Sequence, residues 1–403
     1  MRRIYMDANA TTPLLPEVFD AMRPFWIEQF GNASSIHQQG QHARAAVENA
    51  REQVAALLRC RATEIVFTSG GTESDNLALF GVLQPYLASQ GASKEPAHLI
   101  TSAIEHHAVL HAAEALRDRG IEVTFLPCTP SGLIEPAALE AAMRPHTKLV
   151  SIMLANNETG VLQPISELAA IARAHGALFH TDAVQAAGKL PLDLSKTGPL
   201  APVDLLSISG HKMYAPQGTG ILFSRRNVRL SPLFFGGSHE RQRRPGTENV
   251  AGIVALGKAA ELAQQWLAGS SPADLAALRD RLEQGLLAAI EEAGVNSIEL
   301  PRVANTTNLY FDHVEAEALV IALDLKGLSV SGGSACQSGA TEPSHVLTAM
   351  GLSPARARAS IRLSLSRLTT AEDVDFALAT IPAAVGRLRT LSPPWQKAVP
   401  ALA

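Results

Sequence analysis

Ser207-Ile208-Ser209-Gly210-His211-Lys212 is the stretch that decides the reading of this chain. An apolar run from Asp204 closes on small residues, a lysine follows at once, and Met213-Tyr214-Ala215-Pro216-Gln217-Gly218 comes after it. A lysine just beyond a strand end is badly placed to fill a core. It is well placed to meet a carbonyl compound held at that end. Lysines are mostly solvated surface charges, so the weight of this one comes from its surroundings.

Working outward, six more apolar, β-branched runs recur with helical stretches between them: Glu64 to Thr68, His98 to Ser102, Ile121 to Leu126, Lys148 to Met153, Ala177 to Thr181 and Gly220 to Ser224. That alternation predicts an α/β fold: a mostly parallel seven-stranded sheet with helices on both faces. Ligands of such sheets sit beyond the carboxyl ends of the strands, where the polar motifs of this chain fall. From about Ile253 the pattern changes to long amphipathic helices such as Ala273 to Ala293, then to short strands near Asn308 to Asp312 and Leu328 to Ser331. These predict a smaller α+β domain. The expected division is a large domain over 15–258, a small one made of 1–14 with 259–390, and a mobile tail over 391–403, which carries Pro393-Pro394 and Pro400.

The bulk properties narrow the function. With 403 residues, 46% hydrophobic and 18% charged, the chain reads as a compact globule of two to three domains. A net charge of −4 argues against a nucleic-acid surface, and Arg241-Gln242-Arg243-Arg244 is too short a basic run to reverse that. No apolar run is long enough to cross a bilayer, and Met1 to Asp7 lacks the apolar segment of a secretory signal, so no membrane partner and a cytoplasmic location are expected. Cys60, Cys128 and Cys336 cannot all pair and lack metal-ligand spacing, which predicts a reducing compartment, no resident metal and at most one working thiol.

Several motifs carry chemistry. Thr68-Ser69-Gly70-Gly71-Thr72-Glu73-Ser74-Asp75-Asn76 leaves a strand and enters a helix, an arrangement that suits a phosphate or an ordinary turn capped by Thr72. Asp182, after the run Ala177 to Thr181, can pair with a protonated pyridine nitrogen such as that of pyridoxal phosphate (PLP), or cap the segment that follows. Asn156-Asn157 follows another strand and can serve a ring oxygen, a substrate carboxylate or only a turn. His106, in Glu105-His106-His107, can stack on a flat ring and exchange protons. His107 and His111 stand four apart, but no third metal ligand is evident. Arg362, on the polar alternation of a strand-like run, can clamp a carboxylate in a fork of two hydrogen bonds or lie on the surface. Cys336 sits among small residues in Ser331-Gly332-Gly333-Ser334-Ala335-Cys336-Gln337-Ser338-Gly339-Ala340, as a nucleophile or sulfur carrier would, whereas Cys60 and Cys128 read as inert packing.

These motifs, in this order, resemble the cysteine desulfurases of the class V aminotransferase family, which are fold-type I PLP enzymes. The likeness runs from about Ile4 to Arg367. It takes in Asp7-Ala8-Asn9-Ala10-Thr11-Thr12-Pro13, Gly31 to His37, Arg244-Pro245-Gly246-Thr247-Glu248-Asn249 and Glu342-Pro343-Ser344-His345-Val346-Leu347. The resemblance implies PLP covalently bound to Lys212, stacked under His106, with Asp182 on its ring nitrogen and Gln185 on its ring hydroxyl. It implies phosphate contacts from Gly71, Thr72, Ser209 and His211, joined by Thr247 from the other subunit of a homodimer. Asn157, also counted among the cofactor contacts, and Arg362 would hold the carboxylate of L-cysteine. Cys336 would take the sulfur as a persulfide, pass it to an acceptor such as an iron-sulfur scaffold and meet a cluster only transiently.

The loop after Cys336 resembles that of the nitrogen-fixation and housekeeping iron-sulfur members. One departure is Ala215-Pro216-Gln217-Gly218, where the family usually has Gly-Pro-Lys-Gly, a lost positive charge that bears on substrate preference. Selenocysteine lyase, and a PLP aminotransferase or lyase without persulfide chemistry, are the competing readings.

Overall fold

The computed structural model describes residues 3–87, 96–297, 299–332 and 343–391. Its strands, in chain order, are β1 Ile4–Tyr5, β2 Ile65–Thr68, β3 His98–Ser102, β4 Glu122–Leu126, β5 Thr147–Ser151, β6 Leu178–Asp182, β7 Leu205–Ser209, β8 Gly220–Ser224, β9 Ala293–Val295, β10 Thr306–Phe311, β11 Leu328–Ser329, β12 Ser331–Gly332 and β13 Ser360–Ser364. Seven of them form the large sheet, in the order β2-β8-β7-β6-β5-β3-β4. Each expected strand of this sheet is present, His98–Ser102 and Gly220–Ser224 with the expected ends and the others with ends displaced by at most two residues.

The pairs β3–β4, β3–β5, β5–β6 and β6–β7 are parallel, and β8 alone runs antiparallel to both its neighbours, β7 and β2. Because β8 is reversed between them, β2 points the same way as β7. All the strands but β8 therefore deliver their carboxyl ends to one edge.

Alternate residues of each strand enter different cores, the period-2 consequence of the pleat. Val66, Leu99, Leu149, Leu205 and Leu222 pack under helices Gly71–Leu87 and His107–Asp118. Ile65, Ile100, Val150, Phe179, Leu206 and Phe223 join the opposite core, with Val47 and Val54 of helix Gln38–Leu58 and Ala255 and Ala259 of helix Val250–Leu267. Burial on both faces is why these strands read as continuous apolar runs.

A third core gathers Ile4 and Met6 with Leu309 and Phe311 of β10, Ile361 and Leu363 of β13, and helices Ser271–Ala289 and Ala371–Leu391. Over it lies a second sheet, β12-β13-β10-β9, beside a short parallel pair, β1–β11. The helix expected over Ala273 to Ala293 stops at Ala289, since Glu292 takes φ 50° and 293–295 cross over to pair with β10. The strand bearing Arg362 is buried along its whole length, so its polar alternation points into the molecule and not to solvent.

Residues 6–12 run from the small sheet to the lysine turn: Ala8 N donates to Ser364 O (2.9 Å) and Thr12 N to His211 O (2.9 Å). Among the described residues no helix is long and apolar enough to cross a membrane.

Candidate active site

A cavity of about 290 Å³ opens at the carboxyl ends of the large sheet. Every described candidate from the sequence lines it except Thr247, which is exposed elsewhere on the chain. Cys336 lies outside the described residues. Separate strands supply the walls: the segment after β2 gives Gly71 and Thr72, after β3 His106, after β5 Asn157, after β6 Gln185, and after β7 His211 and Lys212.

One end of the cavity suits a phosphate. Helix Gly71–Leu87 starts there, and the first amides of a helix have no acceptor within it. A Cβ on Gly71 would come within 2.9 Å of Val184 Cγ2 and 3.4 Å of Ser209 Cβ, so only glycine lets the helix begin this close to the wall. The His211 imidazole, 3.1 Å from Thr11 Oγ1 through Nδ1, is brought down to about 4 by burial and by neighbouring Lys212. At neutral pH it is an uncharged polar contact.

Lys212 closes the 3-10 turn Gly210–Lys212 that follows β7. Its Nζ donates to the backbone carbonyls of Asn9 and, at 2.6 Å, Ala10, which hold the amine inside the cavity. Two residues on, Tyr214 takes φ 64°, a conformation costly for a bulky side chain, and is fixed by Thr12 Oγ1 (2.9 Å to its N–H) and by its own hydroxyl accepting from Arg367 N (2.6 Å).

Asp182 ends β6 with Oδ1 accepting from Val184 N at 2.8 Å, so the turn-capping role and the functional one coexist in one carboxylate. Burial raises it to about 6, against the pull of the Val184 amide and of Lys212. Two further buried acids stand behind it. Asp75, 3.6 Å from His180 Nε2, is pushed well up by burial and by Asp182, and burial takes Glu105 to about 8 despite hydrogen bonds from Ser102 Oγ (2.5 Å) and Met153 N (3.0 Å). His180 itself, bridging Ser151 and Ser207 across three strands, is held neutral by burial, at about 3. A positive charge brought against Asp182 would favour its ionised form.

His106 is the N-cap of helix His107–Asp118, its Nδ1 accepting from Ala108 N at 3.2 Å. Burial first, then Lys212, lowers it to about 4. A neutral ring whose Nδ1 lone pair is taken must carry its proton on Nε2, which fixes the tautomer.

At the opposite end stand Arg362 and Asn157. Arg362 is 2% exposed; its Nη2 donates to Asp7 Oδ1 (2.7 Å) and its Nη1 to Asn157 O (2.9 Å). Among the described residues, Arg362 Nε and Asn157 Oδ1 are buried without a hydrogen-bond partner, and both belong to the pair expected to take a carboxylate. Such orphans are costly unless a ligand completes them. Asn156 has no part in this: its Oδ1 accepts from Glu158 N (2.9 Å) and Thr159 N (3.0 Å), so only the second asparagine of the pair reaches the cavity.

Asn9, Asp75 and His345 also line the cavity and were not singled out by their residue type. Asp75 carried a signal, an acid on the apolar side of its helix beside Leu77 and Ala78. Asn9 carried none, since its partners Lys212 and Thr306 lie 203 and 297 residues away. His345 comes within 4.7 Å of His107, ring centre to ring centre, yet no set of described side chains could hold a metal ion. Cys60 and Cys128 sit against the core, and burial pushes the Cys60 thiol up to about 12 and the Cys128 thiol up as well. A thiol so raised carries little thiolate at neutral pH.

The residues present thus fit PLP, with a helix start for phosphate, an acid for the ring nitrogen, a lysine between them and an incomplete carboxylate clamp beyond. Comparison with known proteins agrees. The family Aminotransferase class-V matches residues 4–376. The chain is 47% identical over 392 residues to "Cysteine desulfurase IscS" of Methanosarcina thermophila, covering 97% of this chain and 94% of the relative. It is 50% identical over 397 residues to "Cysteine desulfurase IscS" of Anaeromyxobacter sp. (strain Fw109-5), covering 98% and 95%. Among solved structures it is similar to a "NIFS-LIKE PROTEIN" (TM-score 0.87, 36% identity, 96% of this chain and 100% of that one). "SspA in complex with cysteine" is also similar (TM-score 0.79, 36% identity, 91% and 99%).

Proposed function

The chain belongs to the class-V aminotransferase family and is a cysteine desulfurase, and on that premise we propose how its residues divide the reaction. L-cysteine and the thiol of Cys336 give L-alanine and a persulfide on Cys336, which leaves atoms and electrons balanced without an outside oxidant. PLP, covalently carried by Lys212, supplies a ring that withdraws electrons from the substrate Cα.

Arg362 and Asn157 take the substrate carboxylate through donors, the unmet Arg362 Nε and the Asn157 side-chain NH2, while Asn157 Oδ1, an acceptor, is left for a donor. The Lys212 amine takes the Cα proton and later returns a proton. Asp182, ionised at neutral pH, keeps the ring nitrogen protonated by holding a negative charge against it in a water-poor site. Gln185 donates to the ring hydroxyl oxygen. Gly71, Thr72, Ser209 and His211 hold the phosphate, joined by Thr247 of the second subunit. His106 stacks on the ring and, with its Nδ1 lone pair taken, can give its Nε2 proton to the departing carbon; Nε2, once bare, can take the proton of the attacking thiol. A free thiol near pKa 8.5 is only a few per cent thiolate at pH 7, so Cys336 draws on such help.

We assign sulfur delivery to an acceptor protein, an iron-sulfur scaffold being one such acceptor. The cytoplasm, whose reducing chemistry keeps a thiol available, is the compartment that fits.

The observation that carries this reading is the convergence of Gly71, His106, Asn157, Asp182, Lys212 and Arg362, far apart in sequence, on one cavity. The test is to trap the persulfide after adding L-cysteine, in the wild type and in Cys336→Ala, while alanine and delivered sulfur are measured. Cys336→Ala is expected to lose persulfide and delivery; normal delivery from it would remove Cys336 from the mechanism. The same assay with selenocysteine separates this activity from selenocysteine lyase.

A further inference from the structure

Four residues after Gln185, the side chain of Lys189 turns back under the cavity. Its Nζ donates to Gln185 Oε1 at 2.8 Å and to Asn9 Oδ1 at 3.2 Å. Gln185 Nε2 in turn donates to the Asn9 carbonyl at 3.0 Å, the same oxygen that accepts from Lys212. Asn9 is itself fixed, since its Nδ2 donates to Asn157 O (3.1 Å) and Thr306 Oγ1 (2.9 Å) and its Oδ1 accepts also from Asn305 Nδ2 (3.0 Å).

An amide can sit either way round unless its neighbours discriminate oxygen from nitrogen, and an ammonium, which only donates, does so. With Oε1 turned to Lys189 and one Nε2 hydrogen on Asn9, the remaining Nε2 hydrogen of Gln185, a residue lining the cavity, is left for a ligand. We propose that Lys189 is a positioning residue, which sets the orientation of the Gln185 amide and so the hydrogen bond offered to the cofactor's ring hydroxyl oxygen. This rests on the reading that Gln185 meets that oxygen. Burial and the cations Lys212, Arg362 and Arg367 all press against a charge on Lys189, so its place is kept by its two oxygen partners and not by solvation.

The test uses the full-length enzyme with Lys189→Met, Lys189→Arg, Gln185→Ala and the Lys189→Met/Gln185→Ala double variant. PLP binding to cofactor-free protein and the pH midpoint of the visible band of the lysine-bound cofactor are measured. Lys189→Met is expected to weaken PLP by about tenfold, the scale of one lost hydrogen bond to a charged group. It is also expected to move the midpoint up, because the ring hydroxyl oxygen, no longer held by the Gln185 donor, draws the linkage proton more strongly. Lys189→Arg should keep the midpoint near that of the wild type, and Lys189→Met should add less than about twofold to the loss of affinity in Gln185→Ala, as non-additivity within one network requires.

Wild-type affinity and midpoint in Lys189→Met, or a full tenfold loss added to Gln185→Ala, would overturn the proposal. Should Lys189→Met fail to fold by thermal melting, Lys189→Gln decides, since an amide no longer discriminates Gln185 Oε1 from Nε2: a raised midpoint supports the proposal and an unchanged one overturns it. Absence of PLP uptake by the wild type would instead overturn the cofactor reading on which it stands.

Discussion

Asp182 has to stay ionised in a place that disfavours ionisation. Burial lifts it from the ordinary 3.8 to about 6 in the cofactor-free protein. A carboxyl raised on folding binds protons more tightly in the folded state, so stability falls as pH climbs from about 4 to about 6 and the full penalty applies above that. Two pKa units correspond to roughly 2–3 kcal/mol. Asp182→Asn is therefore expected to melt above the wild type when both lack PLP at pH 7, with the gap closing towards pH 4, while its turnover drops by roughly 10²-fold or more. Superimposable cofactor-free melting curves over that range would show that burial is not what governs this acid. Arg362 poses the complementary case, a buried cation paired with Asp7 whose Nε is still unmet. Arg362→Lys keeps the charge but loses the planar fork, so KM for L-cysteine is expected to rise by about tenfold or more with a smaller change in kcat. An unchanged KM in steady-state assays would take Arg362 out of substrate recognition.

Helix His107–Asp118 begins on a residue with two roles, since His106 caps its first turn and also faces the cavity. Asparagine caps helices well and alanine does not. His106→Asn should hold its stability to chemical denaturation, His106→Ala should lose about 1 kcal/mol, and both should lose about 10²-fold or more in turnover. Equal stability of the two variants would mean that the cap contributes nothing. The elements themselves were largely legible, because strands buried on both sides must be written in long apolar runs, and β2 to β8 were. The reversal of β8 was not: Gly220–Ser224 is as buried as β2 and β7, to which it runs antiparallel, and direction leaves no mark on composition. The inward face of Ser360–Ser364 could not be told from an outward one for a related reason, since a Ser-x-Arg-x-Ser alternation looks the same whether its polar side meets water or Asp7 and a cavity. Of the site, the residues that end strands were readable from position. Asn9, Glu105 and Lys189 were not, because what makes them matter is contact across the fold and not their local spacing.

At the scale of the whole molecule, the contact proposed for Thr247 would have to come from a second chain. Thr247 is exposed and does not line the cavity of its own chain. The segment before it is nonetheless held in one shape. Glu240, Arg241 and Gln242 have φ of 45°, 56° and 65°, and Glu240 is pinned by Arg51 Nη1 and Nη2 (2.8 Å each) and by Phe67 N (2.9 Å). Arg244 then pairs with Glu73 at 2.9 Å, in the first turn of the helix that starts at Gly71. Three successive left-handed non-glycine residues are costly and persist only where their surroundings hold them. A buried arginine-glutamate pair is one such hold, and breaking it with Glu240→Gln is expected to cost about 3 kcal/mol in urea denaturation. A shape so constrained on an exposed segment fits a threonine presented to a second copy. Trp26, Ile27, Phe30 and Phe235, exposed by 60%, 67%, 66% and 90%, leave apolar surface for that copy to cover. Mixed dimers decide between the two arrangements. If Thr247 serves its partner's site, a dimer of Lys212→Ala with Thr247→Ala carries one site with both Lys212 and Thr247 intact; if it serves its own, every site lacks one of them. Equal co-expression of the two variants should then restore about a quarter of wild-type alanine formation, since half the dimers are mixed and each has one intact site of two. Activity no higher than the mean of the two parent dimers would place Thr247 outside the partner's site.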